Sequence, residues 1–473
     1  MLSQTHAELR EPPRRAAGPK GQLVFGSLRD LQRDPLGLLV QARAEFGDVV
    51  RFRYFGPLTW YFFAHPADVE HILVTRVQDF PKGAFGRVLD MIIPRGLASV
   101  DGDEWLRQRR MVQPGFHATA LPGLANTIVS TTCDHLERWR EETVDGGFVD
   151  MARRLIRLSF DVVARALLGS DLREASDIVD RYAVLALQQL NYRVLHPLSP
   201  LPFLPTSSTR RYRSAVRRAD DVIRAIVQRR RATSEGPHDL LSMLMSATDE
   251  EGRGLSDDEV RDQVKTLLIS GYETTGATLG WFWYLLASHP DVEQRVRREI
   301  QTAIGDRLPR VEDLQAMPYT RQVMNETLRL YPPAPWLGRQ TRQSSDVNGC
   351  RVPRGTVVCV SPFVTHRHPD FWTCPESFDP EHFAPENIRH RPRSAFFPFG
   401  AGPRYCVGQA FAVMEILLIA AVILPKWHLR LEPGARVAPR LCGTLQTAAG
   451  LPMTLEPVSA AGTPGGSSHA SAG

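Results

Sequence analysis

Cys406 stands in the run Phe399-Gly-Ala-Gly-Pro-Arg-Tyr-Cys406-Val-Gly408. Gly400, Gly402 and Pro403 tighten the loop before it, and an apolar helical segment begins just after it. That order aims backbone N–H groups and the positive end of a helix at one sulfur. It is a setting that favours a thiolate over a thiol. With Arg404 two residues earlier, such a thiolate suits the axial position of a haem iron.

A second chemical segment is Ser270-Gly271-Tyr272-Glu273-Thr274-Thr275, in the middle of a helical stretch spanning 256–288. A glycine inside a helix costs about 1 kcal/mol relative to alanine. A carboxylate and two hydroxyls are poor choices for a buried stripe. Either the helix face is bent and solvated here, or the helix widens to admit a ligand. An acid beside an alcohol can supply protons to a bound group, an effect typically worth ~10²–10⁴-fold. Two shorter patterns also stand out. Trp105 and Arg109, at i and i+4, can turn an indole N–H and a guanidinium toward one anion. Glu326 and Arg329 lie three apart on one helix face; as a surface pair they would be worth ~0–1 kcal/mol. His366-Arg-His368 has no acidic or cysteine partner at metal-ligand spacing.

Taken together and in this order, these segments resemble the cytochrome P450 family. The loop fills every fixed position of that family's Phe-x-x-Gly-x-x-x-Cys-x-Gly pattern, with Phe399, Gly402, Cys406 and Gly408. The resemblance implies a haem b held by Cys406, with Trp105, Arg109, Arg404 and Arg339 on its propionates. It assigns Glu273 to proton supply and Thr274 to hydrogen bonding with iron-bound dioxygen. It makes Glu326 and Arg329 a buried structural pair. The family's third member of that group is an arginine; here Asp379-Pro380-Glu381-His382-Phe383 offers His382, with Arg389 or Arg391 as substitutes. The His366-Arg-His368 stretch is similar to a structural stretch of the family. Ser270 stands where the family often has alanine, one turn before Thr274, and is a candidate substrate contact. Phe85, Ile269 and Pro335 join it, as do the apolar loop residues Ile92, Ile93, Leu201, Phe203 and Trp336. The likeness runs from about residue 18, where Gly18-Pro19-Lys20-Gly21 is similar to the family's Pro/Gly-rich segment, to about residue 455.

The elements that must position these residues are mostly helical. Ser256 with Glu259 three residues later forms a plausible capping box. From there Val260, Val264, Leu267, Leu268, Gly271 and Thr275 recur at helical spacing. Short strand signals occur at 49–54, 59–63 and 357–360 and near the C-terminus. The expected fold is mostly α with a small β subdomain, the cytochrome P450 fold. One such domain is expected over 21–458, between a disordered N-terminus (1–20) and a disordered Gly/Ser/Ala-rich tail (459–473).

Over 473 residues the net charge is +5, too mild to demand nucleic acid. The cations are nearly all arginine; the only lysines are Lys20, Lys82, Lys265 and Lys426. The six cysteines show no disulfide or Cys-x-x-Cys spacing and read as reduced thiols of a cytoplasmic protein. The longest apolar run, Ile416 to Leu424, is well short of the roughly 20 residues of a membrane span, so no anchor is expected.

The function so implied is that of a monomeric monooxygenase. It would place one atom of dioxygen in a lipophilic small molecule by hydroxylation, epoxidation or oxidative cyclisation. A polyketide or terpenoid secondary metabolite is the first substrate class and a fatty acid the second. Electrons would come from NAD(P)H through a ferredoxin and its reductase. A peroxygenase, a haem-thiolate isomerase and a haem sensor are alternatives. Each of them would leave the Glu273–Thr274 pair without use.

Overall fold

Ser256 accepts from the Glu259 backbone N–H, and the Glu259 carboxylate accepts from the Ser256 N–H at 2.8 Å. This capping box starts helix α7 (Asp257–Ser288), which at 1.5 Å per residue is about 48 Å long. In this computed structural model, which describes residues 16–90, 95–117, 121–142, 147–169, 176–195, 206–232 and 239–458, α7 is the axis of the largest core.

The helices that matter for the site are α1 (Ala84–Asp90), α2 (Gly102–Val112), α3 (Leu121–Glu142), α4 (Met151–Leu168), α5 (Ser176–Leu195), α6 (Ser207–Ala232), α7, α8 (Pro318–Leu330) and α9 (Gln409–Ile423). Among them α4 packs most extensively on α7. The reason is a row of small residues. A Cβ at Gly276 would lie 2.6 Å from the Ile156 Cα, and one at Gly280 would lie 3.8 Å from the Ala152 Cβ. The two backbones approach where no side chain intervenes. A Cβ at Gly271 would meet the Val163 methyls at 3.2 and 3.3 Å. Gly271 therefore serves the α4 contact. The helix assignment is unbroken through this segment, so the widening considered from the sequence is not needed to explain the glycine.

Helix α9 carries the apolar run after Cys406. Phe411, Met414 and Ile416 to Ile423 are all buried, and the helix packs on α3 and α7. The β portion is small. Strands β1 (Val49–Phe55), β2 (Leu58–Phe63), β3 (Leu337–Gln340) and β4 (Val357–Val360) form one sheet in the order β1-β2-β4-β3, with β2 and β4 parallel. Ala16–Lys20, placed in a disordered N-terminus by the sequence reading, lies beside this sheet: the Arg51 N–H donates to the Ala17 carbonyl at 2.8 Å. Residues 1–15 and 459–473, expected to be disordered, are outside the described residues, as are Ile92, Ile93, Leu201 and Phe203.

A hairpin of β5 (Pro439–Cys442) and β6 (Thr444–Thr447) lies against α7. Two bonds pin it. Trp281 Nε1 donates to the Leu445 carbonyl at 2.9 Å, and the Leu445 N–H donates to the Pro333 carbonyl at 3.0 Å. Among the described residues no helix is long and apolar enough to cross a membrane.

Candidate active site

The cysteine loop is held by its own backbone and by two neighbours. The Cys406 N–H donates to the Phe399 carbonyl at 2.9 Å, closing the loop on itself. Gly402 has φ +68°, a left-handed conformation, and a Cβ there would stand 2.0 Å from the Leu73 carbonyl oxygen. Gly408 caps α9 and lies over the Cys406 sulfur, with room for a Cβ only at van der Waals distance, 3.9 Å from the Phe116 ring and 4.0 Å from Sγ. Phe399 packs against the main core.

Burial pushes the Cys406 thiol up, and the Gly408 N–H and the Arg109 charge only partly offset it. A bound metal ion is what would deprotonate it.

Around this loop the structure gathers a set of cations with too little counter-charge. Arg109 of α2 donates from Nη1 to the Tyr405 carbonyl at 2.8 Å and from Nε to Gln113 at 3.1 Å; its Nη2 is buried without a partner. Arg404 pairs with Asp101 and stacks its guanidinium 4.3 Å over the Trp105 ring. Arg339 of β3 donates to the Gly338 carbonyl at 2.8 Å, and its buried Nε is unpartnered. Burial and the Arg404 charge lower the Arg339 guanidinium to about 10.

Lys82 completes the group and was not foreseen. Its ammonium donates to the Ala98 carbonyl, and its backbone N–H donates to Asp101 at 3.0 Å. Burial, then Arg404 and Arg339, lower it to about 7. Asp101 is thus the anion that Lys82, Arg339 and Arg404 share. Only two sequence signals pointed to Lys82: lysine is rare in this chain, and Asp101 precedes the Trp105 motif.

The orphaned donors on Arg109 and Arg339 are the test of fit. Unpaired buried donors are costly, and these surround an accessible cysteine sulfur. An iron-bearing group with acidic edges fits that arrangement.

On α7 the acid and the alcohol diverge. Leu267, Gly271 and Thr274 are partly exposed and Ser270 is exposed, a stripe of open positions on an otherwise buried stretch. The Thr274 hydroxyl donates to the Ser270 carbonyl at 2.8 Å. Ile269 is buried in the core. Glu273 instead turns to the hairpin: its Oε1 accepts from Gln446 Nε2 at 2.5 Å, and its Oε2 is buried without a hydrogen bond. Burial pushes the Glu273 carboxyl up to about 7, against the lowering pull of Thr444 and Gln446. The bent, solvated face considered from the sequence fits Ser270 and Thr274 but not Glu273.

Behind the loop, Glu326 and Arg329 of α8 are fully buried. Arg329 places all five N–H groups: two on Glu326, at 2.7 and 2.6 Å, and three on the carbonyls of His366, Pro375 and Ser377. His382 takes the third place, its Nδ1 3.1 Å from Glu326 Oε1. Arg391 does not bond to Glu326. It donates to the His382 carbonyl at 3.0 Å and stacks 3.6 Å over Trp372, bracing the histidine. Arg389 makes no contact with the group. His366 is buried and accepts from the Phe397 N–H at 2.9 Å; burial holds it well below the ordinary imidazole range, so it is neutral.

Of the loop candidates, Phe85 lies on α1 and Pro335 is buried next to β3, accepting from Ser361 at 2.6 Å. Trp336 packs with Phe52, Trp60 and Phe62 against the sheet, because the chain turns there to enter β3.

The family model for cytochrome P450 matches residues 17–454. The chain is 34% identical over 448 residues to a cyclooctatin synthase of Streptomyces melanosporofaciens, covering 94% of this chain and 96% of that one. It is 32% identical over 425 residues to a pentalenene oxygenase of Streptomyces avermitilis, covering 89% and 93%. A cyanobacterial cytochrome P450 solved with retinoic acid bound superposes with a TM-score of 0.85 at 25% identity, over 95% of this chain and all of the other. The chain belongs to the cytochrome P450 family. It is a haem-thiolate monooxygenase that works with redox partners on a lipophilic substrate.

Proposed function

We propose that this monooxygenase oxidises a polycyclic terpenoid. The names of two relatives support that substrate class, a pentalenene oxygenase and a cyclooctat-9-en-7-ol 5-monooxygenase, the latter 35% identical over 437 residues. Cys406 is the thiolate ligand, and Trp105, Arg109, Arg339, Arg404 and Lys82 hold the carboxylates of the haem. The observation that carries this assignment is the pair of buried, unpartnered donors on Arg109 and Arg339 beside the cysteine loop. Bound haem supplies dioxygen activation, with one oxygen atom entering the substrate and the other leaving as water.

The protein's own part is binding, orientation and proton supply. Glu273 is half protonated near neutral pH and gives up its proton from a carboxyl oxygen. Thr274 keeps its hydrogen on the Ser270 carbonyl, which leaves its oxygen lone pairs free to accept. Ser270, exposed one turn earlier, offers a hydroxyl to a polar group of the substrate. Ile269 and Pro335 are buried, so the substrate contacts expected of them from the sequence are not among those proposed. Electrons come from NAD(P)H through a ferredoxin and its reductase, and the enzyme acts as a monomer in the cytoplasm, where its cysteines stay free.

The test is reconstitution with NADPH, a bacterial ferredoxin, its reductase and a panel of cyclic terpene hydrocarbons and alcohols. The expected result is a product carrying one atom from labelled dioxygen, with Thr274→Ala consuming reductant without proportionate product. Product from fatty acids alone would overturn the substrate class. Unchanged coupling in Thr274→Ala would remove that residue from the reaction.

A further inference from the structure

Gln446 has no place in any motif of the sequence, yet it is the direct partner of the one buried acid on the open stretch of α7. Its Nε2 donates to Glu273 Oε1 at 2.5 Å and to Thr444 Oγ1 at 3.1 Å. The hairpin that carries it is fixed to α7 by Trp281 and to the Pro333 turn through Leu445. The amide is therefore held in place relative to the carboxyl, as a positioning group must be.

We propose that Gln446 is a positioning residue for this monooxygenase: its amide N–H occupies Glu273 Oε1, confining the carboxyl proton to Oε2, the oxygen from which Glu273 delivers it. The inference rests on the reading of Glu273 as a proton donor. An N–H needs a lone pair to donate to. A proton on Oε1 would put two hydrogens between the same pair of heavy atoms. The neutral acid thus keeps Oε1 as its carbonyl-like oxygen and carries O–H at Oε2.

Oε2 is the buried oxygen beside the hairpin turn. It accepts no hydrogen bond. It faces Gly443, where a Cβ would sit 3.8 Å from it and 3.7 Å from Leu187 of α5. The glycine, at φ +81°, keeps a side chain out of that contact. The groups that face the carboxyl are Thr444 and Gln446 on β6, Gly443 at the turn and Tyr272 on its own helix, none of them charged at neutral pH. Asp180 of α5 acts on Tyr272 of the same turn. Among the described residues no cation acts on Glu273; the Thr444 hydroxyl and the Gln446 amide both lower it, and the amide is the one seated on Oε1.

The experiment is an infrared pH titration of the ferric holoenzyme without substrate, with Glu273→Gln used to identify the carboxyl band. In Gln446→Met, which keeps length and removes the donor, the C=O stretch of protonated Glu273 should move to higher wavenumber. Its titration midpoint should rise by about one pKa unit, because a donor to the carboxylate is lost. The falling alkaline limb of the pH–rate profile should move up with it. Gln446→Glu carries the same measurement if the methionine variant fails to load haem; a second carboxyl at that place raises the midpoint further. An unchanged band and midpoint, while the wild-type pH profile still follows Glu273, would overturn the role of Gln446 alone. A shifted band with an unmoved pH profile would overturn the reading of Glu273 on which the proposal stands.

Discussion

Lys82 makes haem binding depend on pH in a way that one substitution should erase. Without a bound anion its ammonium sits beside Arg404 and Arg339 and is lowered to about 7, so half of it is neutral at pH 7. Two carboxylates arriving among these cations return the group to its charged form, and binding then takes up a proton. By linkage, affinity falls with pH wherever the free protein holds fewer protons than the complex. For a group moving from about 7 to well above 9, the loss factor is 1 + 10^(pH − 7): about 2 at pH 7, about 11 at pH 8 and about 100 at pH 9. Cys406 acts in the opposite sense, since ligation releases its proton, but it does so equally in a Lys82 variant. The ratio of haem affinities, wild type over Lys82→Met, should therefore fall about 50-fold between pH 7 and pH 9. Equilibrium partition of haem between each protein and a competing haem-binding protein gives that ratio, and the competitor cancels. A ratio that stays within about twofold over this range would show that Lys82 does not change charge on binding.

Glu326→Ala leaves the fully buried Arg329 charge without its anion and should cost about 3–5 kcal/mol, read as an earlier urea midpoint for loss of the haem absorbance; a loss under about 1 kcal/mol would refute the idea that this pair is internal and decisive. Arg329, His382 and the Asp379 N–H hold the Glu326 carboxyl below its ordinary range although burial opposes them. A depressed carboxyl stabilises the fold above its unfolded pKa of about 4.3, and that contribution is lost as pH falls through the folded value. Glu326→Ala should accordingly show a flatter acid limb in stability against pH, and an identical limb would contradict it. Between α4 and α7, two glycines one turn apart should respond with opposite sign. Gly276→Ala forces a Cβ to within 2.6 Å of the Ile156 Cα and should destabilise by about 1–3 kcal/mol, whereas Gly280→Ala meets only ordinary contact at 3.8 Å and should be neutral or stabilising by up to about 1 kcal/mol; thermal melts that rank them the other way would refute the packing argument.

What could be read in the chain was whatever local spacing encodes. The capping box at Ser256 and Glu259 marked the start of α7 to the residue, and the strand signals at 49–54, 59–63 and 357–360 fell on β1, β2 and β4. The Trp105/Arg109 spacing and the cysteine loop pointed to residues that do meet, Arg404 over Trp105 and Arg109 on the Tyr405 carbonyl. What stayed hidden depends on contacts between distant segments. Lys82 joins Arg339 and Arg404 only through the fold, and Gln446 reaches Glu273 across 173 positions. At Gly271 the sequence left both a bent, solvated face and a widened helix open; its near neighbour is Val163 of α4, and spacing alone does not say which face of a helix meets a neighbour.

The backbone contact between α4 and α7 also bears on how this pocket can be remodelled. At Gly276 helix α7 rests on Ile156 with no side chain between the two backbones. That side of α7 has nothing to trim and no slack to give. A designer who wants to admit a bulkier ring system cannot move the helix back. Room must be carved elsewhere, at Ser270 on the exposed stripe or at the hairpin that carries Gln446. Cuts into the hairpin will alter the setting of the acid along with the size of the pocket. If Glu273 supplies the proton as proposed, libraries built in this hairpin should be screened for coupling as well as for product.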